Sequence, residues 1–319
     1  MKVRLGYVSI ALSLPKVTTS SKVTFSYYNK LQSDDEKIEK LISVTRSNLD
    51  DLYTILKYNV SNRIFFYRIT SSLVPLATHP DVIHWRYREI FKKHFNYLGE
   101  YIINNKLRVD THPNEFNVIN SIRSKTVENT KRNLLFHANF FEDLKYPLGK
   151  MILHIGSGEG GKEDASLRFI NNFKNYPSSI TSRVILENDD KTFTAKETLE
   201  ICNNLNIPMA LDIHHHKCNN NGEIINDMLD EVFNTWRNED LPPKLHYSSP
   251  RDGKLDRKHA DYIEALEFID FIESCRNINR DIDIMLESKS KDLALFKLVK
   301  DIKSIKPNWK WINESTFIV

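Results

Sequence analysis

Val184-Ile185-Leu186-Glu187 and Ile282-Asp283-Ile284-Met285-Leu286-Glu287 are short, strand-like runs that each end on a glutamate. A carboxylate entering a buried sheet end is costly to ionise unless something pairs with it. A bound divalent cation removes that cost and holds the group charged. The plainer alternative pairs each glutamate with a lysine or arginine outside the sheet, and for either run alone it is the simpler account. Working outward, other runs of strand composition end on or near His79, His112, His154, Asp212 with His215, and His246. Metal ligands at the carboxyl ends of successive parallel strands mark the face where a (β/α)8 barrel keeps its active site.

The order of elements agrees. Strand candidates fall at 2–9, 63–69, 107–111, 151–155, 183–186, 209–212, 244–247 and 281–287, with helix-period stretches between them. Ser33-Asp34-Asp35-Glu36 has the form of a capped amino terminus and opens a helix running to about Tyr58. Segment 190–206 reads as helical, with Thr194 as a cap and Pro208 closing the loop after it. Segments 259–277 and 292–305 carry apolar residues at three- and four-residue spacing. Eight strands alternating with helices predict the α/β class and a (β/α)8 TIM barrel, one domain over 1–319. A doubly wound open sheet is the competing architecture. It would bring a glycine-rich phosphate loop after the first strand, where Gly6 stands alone. Asn219-Asn220-Asn221-Gly222 reads as a turn, not a domain boundary.

Composition narrows the class. Hydrophobic content of 40% and charged content of 27% fit a chain with a buried core. No apolar run approaches the roughly 20 residues of a membrane span. The amino terminus MKVRLGYVSI reads as a first strand and lacks the longer apolar stretch and cleavage site of a signal peptide, so a cytoplasmic protein is expected, and a monomer. Cys202, Cys218 and Cys275 are odd in number and far apart, which excludes a thiolate zinc site; Cys202 and Cys275 read as core. A net charge of +3 neither requires nor excludes nucleic acid.

The densest cluster is Leu211-Asp212-Ile213-His214-His215-His216. Three successive imidazoles cannot all face one way, so one or two are candidate ligands. Histidine and carboxylate without thiolate suit Mn, Zn or Fe. Two or three such ions ~3.5–4 Å apart form the clamp used for phosphodiester cleavage. Lys244 and His246 are two apart on one strand and share a side. A lysine facing the ligands would have to be neutral, chemically modified or turned to a phosphate; otherwise it snorkels to the rim. Pro80 and Pro113 directly follow His79 and His112 and fix the loop entry there, whereas His84, His94 and His137 fall in helical stretches.

The strings LGYVS at Leu5, VPLATHPD at Val74, HPNEF at His112, LHIGS at Leu153, LENDDK at Leu186, LDIHHH at Leu211, PKLHYSSP at Pro243, KHADY at Lys258 and MLESKSKD at Met285 resemble the UV damage endonuclease family, relatives of endonuclease IV. The resemblance covers about residues 2–300, and the tail after Lys303 matches nothing in it. It implies a metal-dependent nuclease that nicks double-stranded damaged DNA immediately 5′ to cyclobutane dimers, 6-4 photoproducts and abasic sites. The ligands it implies are Glu187, Asp212, His246 and Glu287 around one ion. His112 and His154, with Glu187 bridging, would hold a second, and His215 with His259 a third. Manganese is the ion it implies, His79 a further functional residue, and Lys244 a carboxylated lysine. Glu187, Glu287 and Lys244 are the catalytic candidates; Glu115, Phe116 and Tyr7 are the candidates for probing the lesion. The family carries Gln then an aromatic where this chain has Glu115 and Phe116. Phe116 retains a ring that can stack, while an ionised Glu115 would be repelled by phosphate. Two other readings compete: a divalent-metal sugar isomerase or epimerase on the same barrel, and a metal-storing or DNA-binding module without turnover.

Overall fold

The computed structural model describes residues 1–319. Its centre is eight parallel strands: β1 (Lys2–Val8), β2 (Phe66–Ile69), β3 (Arg108–Thr111), β4 (Lys150–His154), β5 (Val184–Glu187), β6 (Met209–Asp212), β7 (Lys244–Tyr247) and β8 (Ile282–Leu286). Each pairs with the next, and β1 closes the ring against both β8 and β2. Helices follow the strands, so the chain is a single-domain (β/α)8 barrel.

Strand parity decides what the barrel encloses, because successive side chains alternate between the two faces. On β1, Val3, Leu5 and Tyr7 join the large outer core, while Val8 packs with Phe66 and Met285 inside. The same alternation turns Arg68, Asp110, Lys244 and His246 inward, where they contact one another. Lower in the barrel, Arg4 and Arg108 both pair with Asp283. The interior is therefore layered: an ion cluster at the amino-terminal end and ligand chemistry at the carboxyl end.

Local chemistry sets the element ends. The long helix Asp34–Ser61 starts on Ser33, whose side chain accepts the Glu36 N–H. The helix Ala195–Leu205 opens with a capping box between Thr194 and Glu197. It begins later than the helical pattern from 190, because Asp189 accepts the N–H groups of Lys191 and Phe193 and folds that stretch into a turn. Segment 259–277 is helical only over Ala265–Cys275. His259 lies outside it, in an antiparallel bridge with Pro250. His84 lies in a turn, while His94 and His137 are helical as expected. Cys202 and Cys275 are buried. The tail forms a hairpin, β9 (Lys310–Asn313) and β10 (Thr316–Ile318), and β10 runs antiparallel to the first residues of β1. No helix is long and apolar enough to cross a membrane.

Candidate metal centre

Glu187, at the end of β5 and almost wholly buried, is the residue around which the mouth of the barrel is arranged. One carboxylate oxygen lies 2.7 Å from His246 Nδ1 and 3.5 Å from His215 Nδ1. The other lies 3.0 Å from His112 Nε2 and 3.8 Å from His154 Nε2. Three sets of donors lie close enough to share an ion: His112, His154 and Glu187; Glu187, Asp212 and His215; and Glu187, His246 and Glu287. Within each set the atoms lie within 4.8 Å of one another, and Glu187 belongs to all three. A carboxylate with an oxygen toward each side is what bridging between neighbouring ions requires.

The β6 end shows how the sequence builds one set. Asp212 caps the short helix Ile213–Cys218, with Oδ1 accepting the His215 N–H at 2.7 Å. That turn of helix directs His215 at Glu187 and leaves His214 and His216 facing elsewhere. Asp212 Oδ2 is buried and has no hydrogen-bond partner. An orphaned carboxylate oxygen beside an imidazole is costly unless a cation completes it, so these residues fit a divalent ion.

The electrostatics agree. Burial pushes the Glu187 carboxyl up, but His246 and His154, with hydrogen bonds from His112 and His246, hold it well below the usual range. Glu287 is also lowered: burial opposes this, and Arg68 and His246 outweigh it. Burial lowers His215, yet the Asp212, Glu187 and Glu287 carboxylates raise it to about 9. The carboxylates thus hold the His215 imidazole protonated where a metal could sit, whereas burial lowers His246, Glu187 opposing and Arg68 reinforcing.

Sequence reasoning missed Arg68. It projects inward from β2, buried, with one guanidinium nitrogen 2.5 Å from Glu287 Oε1 and another 2.6 Å from His246 Nε2. Asp110 Oδ1 lies 3.6 Å from its Nε. The cation partnering Glu287 is thus inside the barrel and touches two candidate ligands. Inward parity two residues after Phe66 was the available signal.

Lys244 is fully buried and bonded to Asp110 Oδ2, one layer below His246. This overturns the rim reading and equally a role facing phosphate. Burial lowers its pKa to about 7, Asp110 opposing and Arg68 and Arg108 reinforcing.

Other expected residues are placed differently. His79 does not end a strand. It lies in the loop after β2, stacked on Phe25 at 3.8 Å, and belongs to none of the ligand sets. Its Nδ1 accepts the Asp81 N–H at 3.3 Å, so the turn at Pro80 occupies it locally. His259 is near the centre but at its margin, its Nδ1 4.0 Å from Glu287 Oε2. Asp212 groups with His215, not with His246 and Glu287. Tyr7 cannot probe a substrate in this structure. Strand parity turns it outward, fully buried, where its hydroxyl donates to Asn59 at 2.6 Å. Glu115 and Phe116 are exposed on the loop after β3, Phe116 at 78%. Asn114 shapes that loop by accepting the Phe116 N–H, and Thr130 accepts the Val118 N–H.

A model of the UV-endonuclease UvdE family matches residues 3–314. The chain belongs to the UV-endonuclease UvdE family. Among relatives of this UvdE chain, the UV DNA damage endonuclease of Bacillus cereus (strain B4264) is 40% identical over 308 residues, covering 96% of each chain. The solved structure of SacUVDE has 35% identity and a TM-score of 0.84, covering 95% of this chain and 99% of that one. Endonuclease IV from Thermus thermophilus shares the fold at 14% identity and a TM-score of 0.56, over 94% of this chain and 99% of its own. As a UvdE-family member the chain is an endonuclease, hence a hydrolase.

Proposed function

We propose that this endonuclease is metal-dependent and nicks double-stranded DNA immediately 5′ to cyclobutane dimers, 6-4 photoproducts and abasic sites, leaving a 3′-hydroxyl. The observation that carries the metal dependence is Glu187, shared by three ligand sets at the barrel mouth. His112 and His154, Asp212 and His215, and His246 and Glu287 would hold up to three ions with it, manganese being the preferred ion, and His259 would complete the margin. When bound, the ions supply the water activation and charge neutralisation that phosphodiester hydrolysis needs. Glu187 and Glu287 stay ionised at neutral pH and fix the orientation of the imidazoles beside them. No observation favours sugar isomerisation, and family membership points away from it. An end-labelled duplex with one abasic site tests the reading: cleavage at the 5′ side with a ligatable 3′-hydroxyl supports it, and cleavage elsewhere refutes it.

Phe116 is the lesion probe in this reading. Dimers resist stacking, so they flip out at lower cost than normal bases, and a wedge must fill the gap. Phe116→Ala should lose cleavage of dimers by about tenfold more than cleavage of abasic sites, where the gap already exists. Glu115→Gln should tighten binding to both substrates. Equal losses on the two duplexes, with no effect of Glu115→Gln, would remove this loop from lesion recognition.

Lys244 is proposed as a site of carboxylation. Burial lowers the pKa of this amine toward neutrality, Asp110 opposing, which brings the neutral form that adds carbon dioxide within reach. Because the neutral form is the reactive one, modification should rise as pH passes through about 7 and reverse on acidification. Intact mass in bicarbonate should show one added carbon dioxide that Lys244→Arg lacks. A wild-type mass that bicarbonate leaves unchanged at pH 8 would contradict it.

A further inference from the structure

The loop that leaves β7 does more than connect. It rises from Ser248 and Ser249, just beyond His246, and returns at His259 beside Glu287. Both of its feet therefore stand at the metal centre. It is a built hairpin. Pro250 and His259 form an antiparallel bridge, Arg251 N–H donates to Lys258 O at 2.8 Å, and Ala260 N–H donates to Ser249 O at 2.8 Å. Asp256 accepts the N–H groups of Asp252 and Lys258, and Gly253, at φ +82°, supplies the reversal that a side chain would strain. The loop after β8 pins the returning strand, with Lys289 N–H on Ala260 O at 3.1 Å.

The surface of this hairpin is unequal. Arg257 is paired with Asp190 and Arg251 with Asp252. Lys254 and Lys258 are exposed and have no ion-pair partner. Leu255, between them, is 70% exposed. A single exposed leucine is ordinary. This one is held on an ordered tip, flanked by free cations, on the catalytic face. β7 lies four strands around an eight-stranded ring from β3, so the hairpin stands across the mouth from Phe116.

We propose that residues 250–259 form a second DNA-gripping element, with Lys254 and Lys258 on phosphates and Leu255 as an apolar wedge opposite Phe116. The proposal rests on the nuclease reading. DNA crossing the metal centre would meet one apolar side chain on each side, each placed to enter and unstack a base step. The partner chemistry is the polyanionic backbone of a duplex together with the face of an unstacked base.

The test is fluorescence anisotropy of the full-length protein on a duplex carrying one cyclobutane dimer and on the same duplex undamaged, across a salt series. Nicking and metal content are measured in parallel. For Lys254→Ala/Lys258→Ala, the slope of log binding constant against log salt should shrink by about 1.8, roughly 0.9 for each phosphate released. For Leu255→Ser, affinity for the dimer duplex should fall about tenfold while the undamaged duplex changes little. Metal content should stay at the wild-type value in both. If the wild type binds and nicks while both variants keep its slope and affinity, the hairpin is not a DNA element and the nuclease reading stands. Equal weakening of both duplexes by Leu255→Ser removes the wedge. A wild type that neither binds nor nicks overturns both.

Discussion

Glu187→Gln is expected to abolish nicking, a loss on the order of a thousandfold or more, because one carboxylate serves all three ligand sets. The amide keeps the shape of the side chain but loses the charge that faces His112, His154, His215 and His246. Inductively coupled plasma analysis should find fewer bound ions than in the wild type, not merely a slower enzyme with the same content. Its contacts are to imidazoles at the barrel mouth and not to the core, so circular dichroism should be unchanged. Glu287→Gln and His246→Ala should show the same pattern at one ligand set each. Full metal content with full activity in Glu187→Gln would mean that the centre is elsewhere.

Arg68→Met is expected to have the second-largest effect, through two separate readouts. Without metal, the guanidinium is the cation that Glu287, His246 and Asp110 share in the barrel interior. Removing one partner of a buried ion pair costs about 3–5 kcal/mol, so the metal-free variant should melt well below the metal-free wild type. Groups that orient ligands from behind also tune binding, and their loss lowers metal affinity roughly 10–100-fold. Added manganese should therefore recover part of the lost stability. Arg68→Lys retains a charge but not the fork that reaches two ligands, and should fall between the two. A variant with wild-type melting temperature and wild-type metal affinity would reduce Arg68 to a spectator.

Much of this centre was legible in the sequence because strand parity and strand ends are local. Val184-Ile185-Leu186 fixes the side to which Glu187 points, and the same holds for Asp212, His246 and Glu287. Ser33 and the Thr194–Glu197 pair were readable as helix starts for the same reason. What escaped depends on residues far apart in the chain. Parity gives the side to which Arg68 points, but its partner is set only when the barrel closes and brings Glu287, 219 positions away, against it. His259 carries the apolar spacing of the helix that follows, but its pairing with Pro250 across the hairpin holds it in extended structure. The tail had no recognisable pattern because β10 is stabilised by β1, at the opposite end of the sequence. His79 misled because a His-Pro pair fixes a loop as readily as it ends a strand.

The claim on which the account stands is that metal held at Glu187 cuts damaged DNA. Single-turnover nicking of an end-labelled abasic duplex, with chelated protein titrated by manganese, tests it most directly. The account predicts no cleavage before metal is added, cleavage on the 5′ side that rises with bound manganese to saturation, and none from Glu187→Gln at any metal concentration. Cleavage by the fully chelated protein, or by Glu187→Gln at the wild-type rate, would contradict it.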